Sequence, residues 1–379
     1  MYATTIGYTF LKAYNNKFQT NYTGRTFFEE VFVPLFFDHP KYMMTAGNSP
    51  LENPKLSWED MIKGKKPFET AERRKERIDK MINKIESEKA DASIAIGYGV
   101  VDAAAATTGQ ITNIDFPDNK EDIYCSWIGA GLGVGITGGL TILFNNEALL
   151  LDIYEGWKCY RQYLEEYPLM KGNQINTWNG RWLVHRYQPD FDETDPTAGF
   201  NPLEPINGGL LGLQTISWVE VLLKIARRFP ANNLVGYLYS IGQTNTTIGF
   251  IPYQKDAPKI SKLYGTAIGL RAACQAGAIG IPAMEPKGLK AFFPTTKGVK
   301  NIPHKEGDEE QRITYYTYLI WILAMLNNEK LWELSREFAE LLLKYEAGAG
   351  KARTDRKNNV NRLLESVSVK QFLQNLIPV

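Results

Sequence analysis

The most unusual segment of the chain lies between residues 173 and 182 and reads NQINTWNGRW. It carries the amides Gln174, Asn176 and Asn179, then Arg181, with two tryptophans among them. Amides can hydrogen-bond base edges, tryptophan can stack on bases, and arginine can grip phosphate or guanine. These residue types predict contact with nucleic acid; a polar turn with two core tryptophans is the alternative.

Two short polar stretches have similar potential. Gly47-Asn48-Ser49-Pro50 is a loop signal, and its small polar side chains can enter a minor groove. Residues 243–247, which include Asn245, offer backbone and hydroxyl donors suited to phosphate. A plain turn is the alternative at both places.

A charged helix is predicted over residues 68–91, because Ile78, Met81, Ile82 and Ile85 recur at helical spacing. The basic residues on the rest of its surface are Arg73, Arg74, Lys75, Arg77, Lys80 and Lys84. Such a helix is either a solvated face with i,i+4 ion pairs or a surface that faces phosphate.

Two patterns for covalent or cofactor chemistry are weak. Gly133 to Gly138 matches G-x-G-x-x-G, but residues 140–144 favour a strand where a dinucleotide site needs a helix. Cys125 and Cys159 have no histidine nearby in sequence, so buried structural thiols explain them better than nucleophiles.

Metal chemistry has little support either. The histidines, which stand in no metal-binding motif, are His39, His185 and His304. Glu285-Pro286-Lys287, with Asp256 upstream, matches a carboxylate nuclease motif, but a proline would break the central strand that carries that motif. We therefore predict no catalytic residue, no metal and no cofactor.

The overall composition limits the class of protein. Lys plus Arg number 43 and Asp plus Glu number 42, so any nucleic-acid contact must come from local patches or be shared with partner chains. Three cysteines without a CxxC pair fit a cytoplasmic protein. The uncharged run 123–146 is long enough to span a bilayer, but its six glycines favour no membrane contact.

Helical and strand patterns alternate along the chain. Thr26 is the expected N-cap of a helix that Pro34 ends or kinks. Residues 92–151 read as β-rich, with Asn145-Asn146 as a hairpin turn between apolar runs. A helix over 214–229 and strands within 234–253 follow.

These elements predict an α+β fold in three parts. Pro- and Gly-rich stretches at 189–213 and 285–312 suggest the boundaries. They divide the chain into an N-terminal α+β domain (1–195), a middle α+β segment (196–305) and a C-terminal helical bundle (306–379).

Several strings, taken together, resemble a known family. PLFFDHPKYMM followed by Gly-Asn-Ser-Pro, then GNQINTWNGRWL, then NTTIGFI and a C-terminal helical bundle, resemble the large subunit of type I CRISPR effector (Cascade) complexes. The similarity is spread across most of the chain. Members of that family are not enzymes, and base pairing with the guide RNA supplies most of their sequence specificity.

The resemblance implies partners and residues. The partners would be guide RNA, target DNA and other effector-complex subunits. Asn48, Ser49 and the segment from Gln174 to Arg181 would read a short motif beside the DNA target. The basic residues that would contact the nucleic-acid backbone in the C-terminal domain are Lys351, Arg353, Arg356 and Lys357.

Two other functions stay open from the residues alone. A metal-dependent nuclease of a restriction or defence system would need a carboxylate cluster that assembles only in the folded chain. A structural interaction protein without nucleic acid would fit the many aromatic residues that read as exposed.

Overall fold

The computed structural model describes residues 1–47, 49–52, 58–100, 112, 118–137, 139–216, 218–229, 234–240, 246–253, 295–296, 299–300, 330–348 and 353–377. The chain divides into two compact units, residues 1–317 and 318–379. The predicted α+β class is confirmed, since helices dominate and a few strands form small sheets. The predicted three-part division stays a prediction.

The first unit contains most of the elements that matter for the site. In chain order these are α1 (Tyr2–Phe18), α2 (Gly24–Phe27), a π-turn (Phe28–Phe32), α3 (Val33–Phe36), α4 (Trp58–Ile62), α5 (Ala71–Ser87), α6 (Lys120–Gly131), β1 (Val134–Ile136), β2 (Leu140–Phe144), α7 (Glu147–Glu166), α8 (Ile175–Arg186), β3 (Leu203–Ile206), β4 (Leu210–Leu213), α9 (Trp218–Arg228), β5 (Leu234–Ser240), β6 (Thr246–Tyr253), β7 (Thr295–Thr296) and β8 (Val299–Lys300).

The helix that begins near Thr26 differs from its sequence prediction. Thr23 is the N-cap, and its hydroxyl accepts a hydrogen bond from the Thr26 amide. Pro34 has no N–H to donate to the preceding turn, and the chain widens there into the π-turn, with Val33 donating to the carbonyl of Phe28. Thr26 as N-cap was therefore wrong, while the proline does distort the helix.

Helices α1 and α6 touch along their backbones. A Cβ on Gly7 would lie 2.0 Å from the carbonyl oxygen of Cys125, and one on Gly129 would lie 1.9 Å from that of Ala3. Only glycine permits this approach, so these two positions fix the crossing of the two helices.

Aromatic rings fill the core beside this crossing. Phe10, Phe27, Phe36 and Trp157 are fully buried, and the ring centroids of Phe36 and Trp157 lie 4.7 Å apart in an edge-to-face arrangement. Truncating one such ring to alanine costs about 3–5 kcal/mol. These aromatics therefore stabilise the core and do not form an exposed contact surface.

A four-stranded antiparallel sheet has the order β1-β2-β5-β6. The strands predicted within 234–253 are confirmed, and so is the strand after the G-x-G-x-x-G string. The hairpin turn predicted at Asn145-Asn146 is wrong. Asn146 is instead the N-cap of α7, because its side chain accepts from the amide of Leu149 at 3.0 Å.

The strand predicted at the start of 92–151 is also wrong where the structure describes it. The Asp91 carboxylate accepts from the Ser93 amide at 2.7 Å, and the amides of Ile94 and Ala95 donate to the Asp91 carbonyl. This turn diverts residues 92–100 into a loop. The uncharged run after it is split between α6, β1 and β2, and no helix within the described ranges is long and apolar enough to cross a membrane.

The second unit contains α10 (Lys330–Ala347), α11 (Arg353–Leu364) and α12 (Val369–Leu376). Leu342, Val360 and Leu363 form its buried core, and Phe338 and Phe372 pack against them. The helical character predicted for the C-terminal part of the chain is confirmed in its described residues.

Candidate nucleic-acid interface

Two amides of the 173–182 segment, Asn176 and Asn179, lie on α8 and point into the protein. Asn179 is completely buried and donates to the carbonyls of Gly131 and Gly133, both at 2.8 Å. Asn176 donates to the carbonyls of Ala130 at 3.2 Å and Gly133 at 2.9 Å. Ala130 and Gly131 end α6, where carbonyls lack helical partners, so these two amides cap α6 from a neighbouring helix.

Gln174 and Arg181 hold the chain that follows β4. The Gln174 side chain accepts from the Leu213 amide at 3.3 Å. Arg181 donates to the Gln214 carbonyl and side-chain oxygen, both at 2.8 Å, and to the Thr215 carbonyl at 3.2 Å. Burial lowers the pKa of Arg181, although Glu220 and Glu204 oppose this effect. The four predicted base-reading side chains therefore bind this protein's own backbone.

A second predicted segment forms a closed turn. We call residues 46–47 and 49–52 the Ser49 loop. The amide of Ser49 donates to the Ala46 carbonyl at 3.1 Å, and the Glu52 carboxylate accepts from the Ala46 amide at 2.8 Å. The Leu51 amide donates to the Ser49 hydroxyl at 3.3 Å, and Ser49 is only 7% exposed. Ser49 therefore shapes the loop; Asn48 lies outside the described residues.

The Ser49 loop lies beside the basic helix α5. Thr70 caps this helix by accepting from the Arg73 amide, and Met81 and Ile85 are buried beneath it. A groove of about 640 Å³ opens between the loop and the helix. The residues that line it are Ser49, Pro50, Lys80, Asn83, Lys84, Ser87 and Glu88. Two segments that the sequence nominated separately thus meet at one surface.

Two of the polar side chains that line this groove point outward. Lys80 and Asn83 are exposed, and among the described residues their side chains make no hydrogen bond or ion pair. Lys84 donates to the Ser93 hydroxyl at 2.8 Å and pairs with Glu88 at 3.5 Å. An ammonium and an amide beside a small polar loop can bind a phosphate and a neighbouring hydrogen-bonding group.

Charge is segregated around α5. Residues spaced three or four apart share one side of a helix, so one stripe contains Arg73, Arg77, Lys80 and Lys84. Acidic residues recur at seven-residue spacing on another side, at Glu72, Asp79 and Glu86, while Glu76 and Glu88 lie beside the basic stripe. Two members of this stripe, Lys80 and Lys84, line the groove together with one acidic residue, Glu88, so a chain of net charge +1 has a locally basic surface there.

Arg77 differs from the other members of the stripe. Its guanidinium donates to the Glu69 carboxylate and to the Glu52 carbonyl. The Glu69 carboxylate also accepts from the Tyr42 hydroxyl at 3.0 Å. Arg77 therefore joins α5 to the Ser49 loop. The sequence indicated the helix but gave no sign of this role.

The two predicted motif-reading segments are joined through the chain before the loop. The Asn173 amide donates to the Tyr42 carbonyl at 2.7 Å, and the Ile175 amide donates to the Met43 carbonyl at 3.1 Å. The start of α8 therefore supports residues that lead directly into the Ser49 loop. Its contribution to the groove is positional.

Of the basic residues predicted in the C-terminal domain, two have described side chains. Arg356 is half-buried and donates to the Gly348 carbonyl, whereas Lys357 is exposed. Arg353 begins α11, and nothing further is described of its side chain. Lys351 lies outside the described residues, as does Asn245 in the first unit.

Cys125 and His185, which were considered for catalysis, are buried in or packed against the core of the described part of the chain. Burial raises the pKa of the Cys125 thiol, and the ring of His185 stacks on Phe200 with centroids 4.5 Å apart. Within the described part of the chain, no three His, Cys, Asp or Glu side chains are grouped closely enough to hold a metal ion. The nuclease-like residues Asp256 and 285–287 lie outside that part.

Comparison with known proteins adds no relative. No family model, curated protein or solved structure matches the chain. The groove is therefore the feature of this chain that can indicate its function.

Proposed function

We propose that this chain is a non-catalytic subunit of an RNA-guided CRISPR DNA-surveillance complex, and that the groove between the Ser49 loop and α5 contacts the target DNA. One observation carries the proposal: the loop and the basic helix, nominated independently from sequence, line the same groove. The strings that resemble the Cascade large subunit supply the biological context.

The chemistry of the groove divides between two kinds of contact. Lys80 is a mobile point charge that suits a phosphate, and it contributes affinity without sequence information. The Ser49 loop is held by its own hydrogen bonds, so it presents a fixed shape to base edges or to a minor groove. A short motif beside the target is the kind of ligand that such a surface can read.

The near-neutral charge of the chain is compatible with this role. Partner subunits and the guide RNA would provide most of the phosphate binding and most of the base pairing, respectively. This chain then needs only a local basic stripe, and α5 has one. We expect the isolated chain to bind DNA weakly and the assembled complex to bind it tightly.

Purification of the tagged chain from its native cells tests the proposal. We expect short RNAs of uniform length with a common 5′ end, together with several stoichiometric partner proteins. A chain that elutes alone and without RNA would contradict the CRISPR assignment. Divalent-metal-dependent DNA cleavage by that lone chain would then favour the nuclease alternative.

A further inference from the structure

We infer that Arg77 fixes the conformation of the Ser49 loop. Through this loop it determines motif specificity, and it does so without contacting phosphate. This inference rests on the proposed function. It separates Arg77 from Lys80, although both belong to the same basic stripe of α5.

Arg77 is not among the residues that line the groove. Its guanidinium is occupied by the Glu69 carboxylate and the Glu52 carbonyl, and its side chain is 22% exposed. Glu69 is 6% exposed. A charge that is already paired with a buried carboxylate is a poor counter-ion for phosphate, because binding would break the existing pair.

Glu52 is the point at which Arg77 controls the loop. The backbone carbonyl of Glu52 accepts from Arg77, while its carboxylate accepts from the Ala46 amide at 2.8 Å. Its own amide donates to the Ser49 carbonyl at 3.1 Å. Fixing Glu52 therefore fixes both ends of the Ser49 loop.

The anchor for Arg77 is itself rigid. The second oxygen of Glu69 accepts from Tyr42, which is 3% exposed and whose carbonyl accepts from the Asn173 amide. A planar guanidinium can satisfy a carboxylate and a carbonyl together, whereas an ammonium on a flexible stem holds such a geometry less well. Arg77→Lys therefore keeps the positive charge but loses the simultaneous contact with the Glu69 carboxylate and the Glu52 carbonyl.

The experiment uses the assembled complex with its guide RNA. The probe is a pool of duplexes in which the guide-complementary target is flanked by a randomised segment, and the bound fraction is sequenced. Affinity for the best sequence is then measured over a series of salt concentrations. Wild type, Arg77→Lys and Lys80→Gln are compared.

The two variants should fail differently. Arg77→Lys should lower the enrichment of the preferred motif about tenfold and leave the salt dependence of affinity unchanged. Lys80→Gln should leave the motif unchanged and reduce the slope of log K against log salt by about one, as expected for one lost phosphate contact. Unchanged enrichment in Arg77→Lys, or a slope reduced as in Lys80→Gln, overturns the inference.

A measurement without nucleic acid separates this inference from the proposed function. Amide hydrogen exchange at Ala46, Ser49 and Glu52 should be about tenfold faster in Arg77→Lys, and also in Glu69→Gln if the first variant assembles poorly. Faster exchange in a chain that binds no nucleic acid would support the role of Arg77 in fixing the Ser49 loop and would reject the proposed function. Unchanged exchange in both variants would show that Arg77 does not fix the Ser49 loop.

Discussion

Two regions of the first unit carry amides beside basic residues, and they orient them in opposite directions. On α8, Asn176, Asn179 and Arg181 point inward to backbone carbonyls. On α5, Lys80 and Asn83 point outward into the groove. The difference lies in the surroundings, because backbone carbonyls at the end of α6 and after β4 lie within hydrogen-bonding reach of α8.

Loss of the Asn179 amide should give the largest effect. Asn179→Ala removes two hydrogen bonds and leaves the Gly131 and Gly133 carbonyls buried without that donor, so we expect about 3 kcal/mol less stability. Urea denaturation of the purified chain measures this loss. Asn83→Ala is the matched control and should change the free energy of unfolding by less than about 0.5 kcal/mol. Equal effects of the two substitutions would remove the distinction between the regions.

Acid should weaken the segment that joins the two regions. Burial, together with the nearby charges of Arg161 and Lys41, lowers the pKa of His39 to about 4, although a backbone hydrogen bond at Lys41 and the Glu165 carboxylate oppose this effect. The folded state then binds fewer protons than the unfolded state between about pH 6.5 and 4. Stability should therefore fall as the pH falls through this range, by about 2–3 kcal/mol from this group. His39→Gln should flatten the loss, and an unchanged pH profile in that variant would contradict the assignment.

Removing the outward charge should affect binding and spare stability. Lys80→Gln should weaken binding of the assembled complex to its target about fivefold to tenfold at low salt, since it removes one phosphate contact. Its free energy of unfolding should stay within about 0.5 kcal/mol of wild type, because the side chain is exposed. Filter binding and urea denaturation measure the two quantities. Destabilisation together with unchanged binding would reverse the assignment.

The smallest effect is expected on the opposite side of the same helix. Lys75 is exposed and lies outside the basic stripe. Lys75→Gln removes the same charge as Lys80→Gln and should change target affinity less than twofold at moderate salt. If Lys75→Gln weakens binding as much as Lys80→Gln does, the loss of affinity comes from the change in net charge. The groove would then have no special role in binding.

Part of this picture follows from sequence. The apolar spacing of Ile78, Met81 and Ile85 predicted α5, and the apolar run Leu140–Phe144 predicted β2. Helix α8 escaped prediction because it is buried on several sides: Trp178, Gly180 and Val184 all lie inside, which leaves no single apolar stripe. The loop over 92–100 escaped for another reason, since one Asp91 turn outweighs several strand-favouring residues.

The site was predictable only as separate pieces. Residue type suggested Ser49 and the basic residues of α5, but no local pattern places residue 49 beside residue 84. The direction of Asn179 depends on carbonyls that lie 46 to 48 positions away in sequence. The role of Arg77 depends on Glu69, 8 positions earlier, and on Glu52, 25 positions earlier. No local sequence pattern indicates these two contacts.

Photo-crosslinking from α5 in the native complex tests the central claim most directly. A photoreactive amino acid replaces Lys80 in one preparation and Lys75 in another, and each is irradiated with labelled target DNA. We predict a strong DNA crosslink from position 80, mapped beside the guide-paired region, and little from position 75. Equal crosslinking from both positions, or none from position 80 in a complex that binds its target, would contradict the claim that the groove contacts DNA.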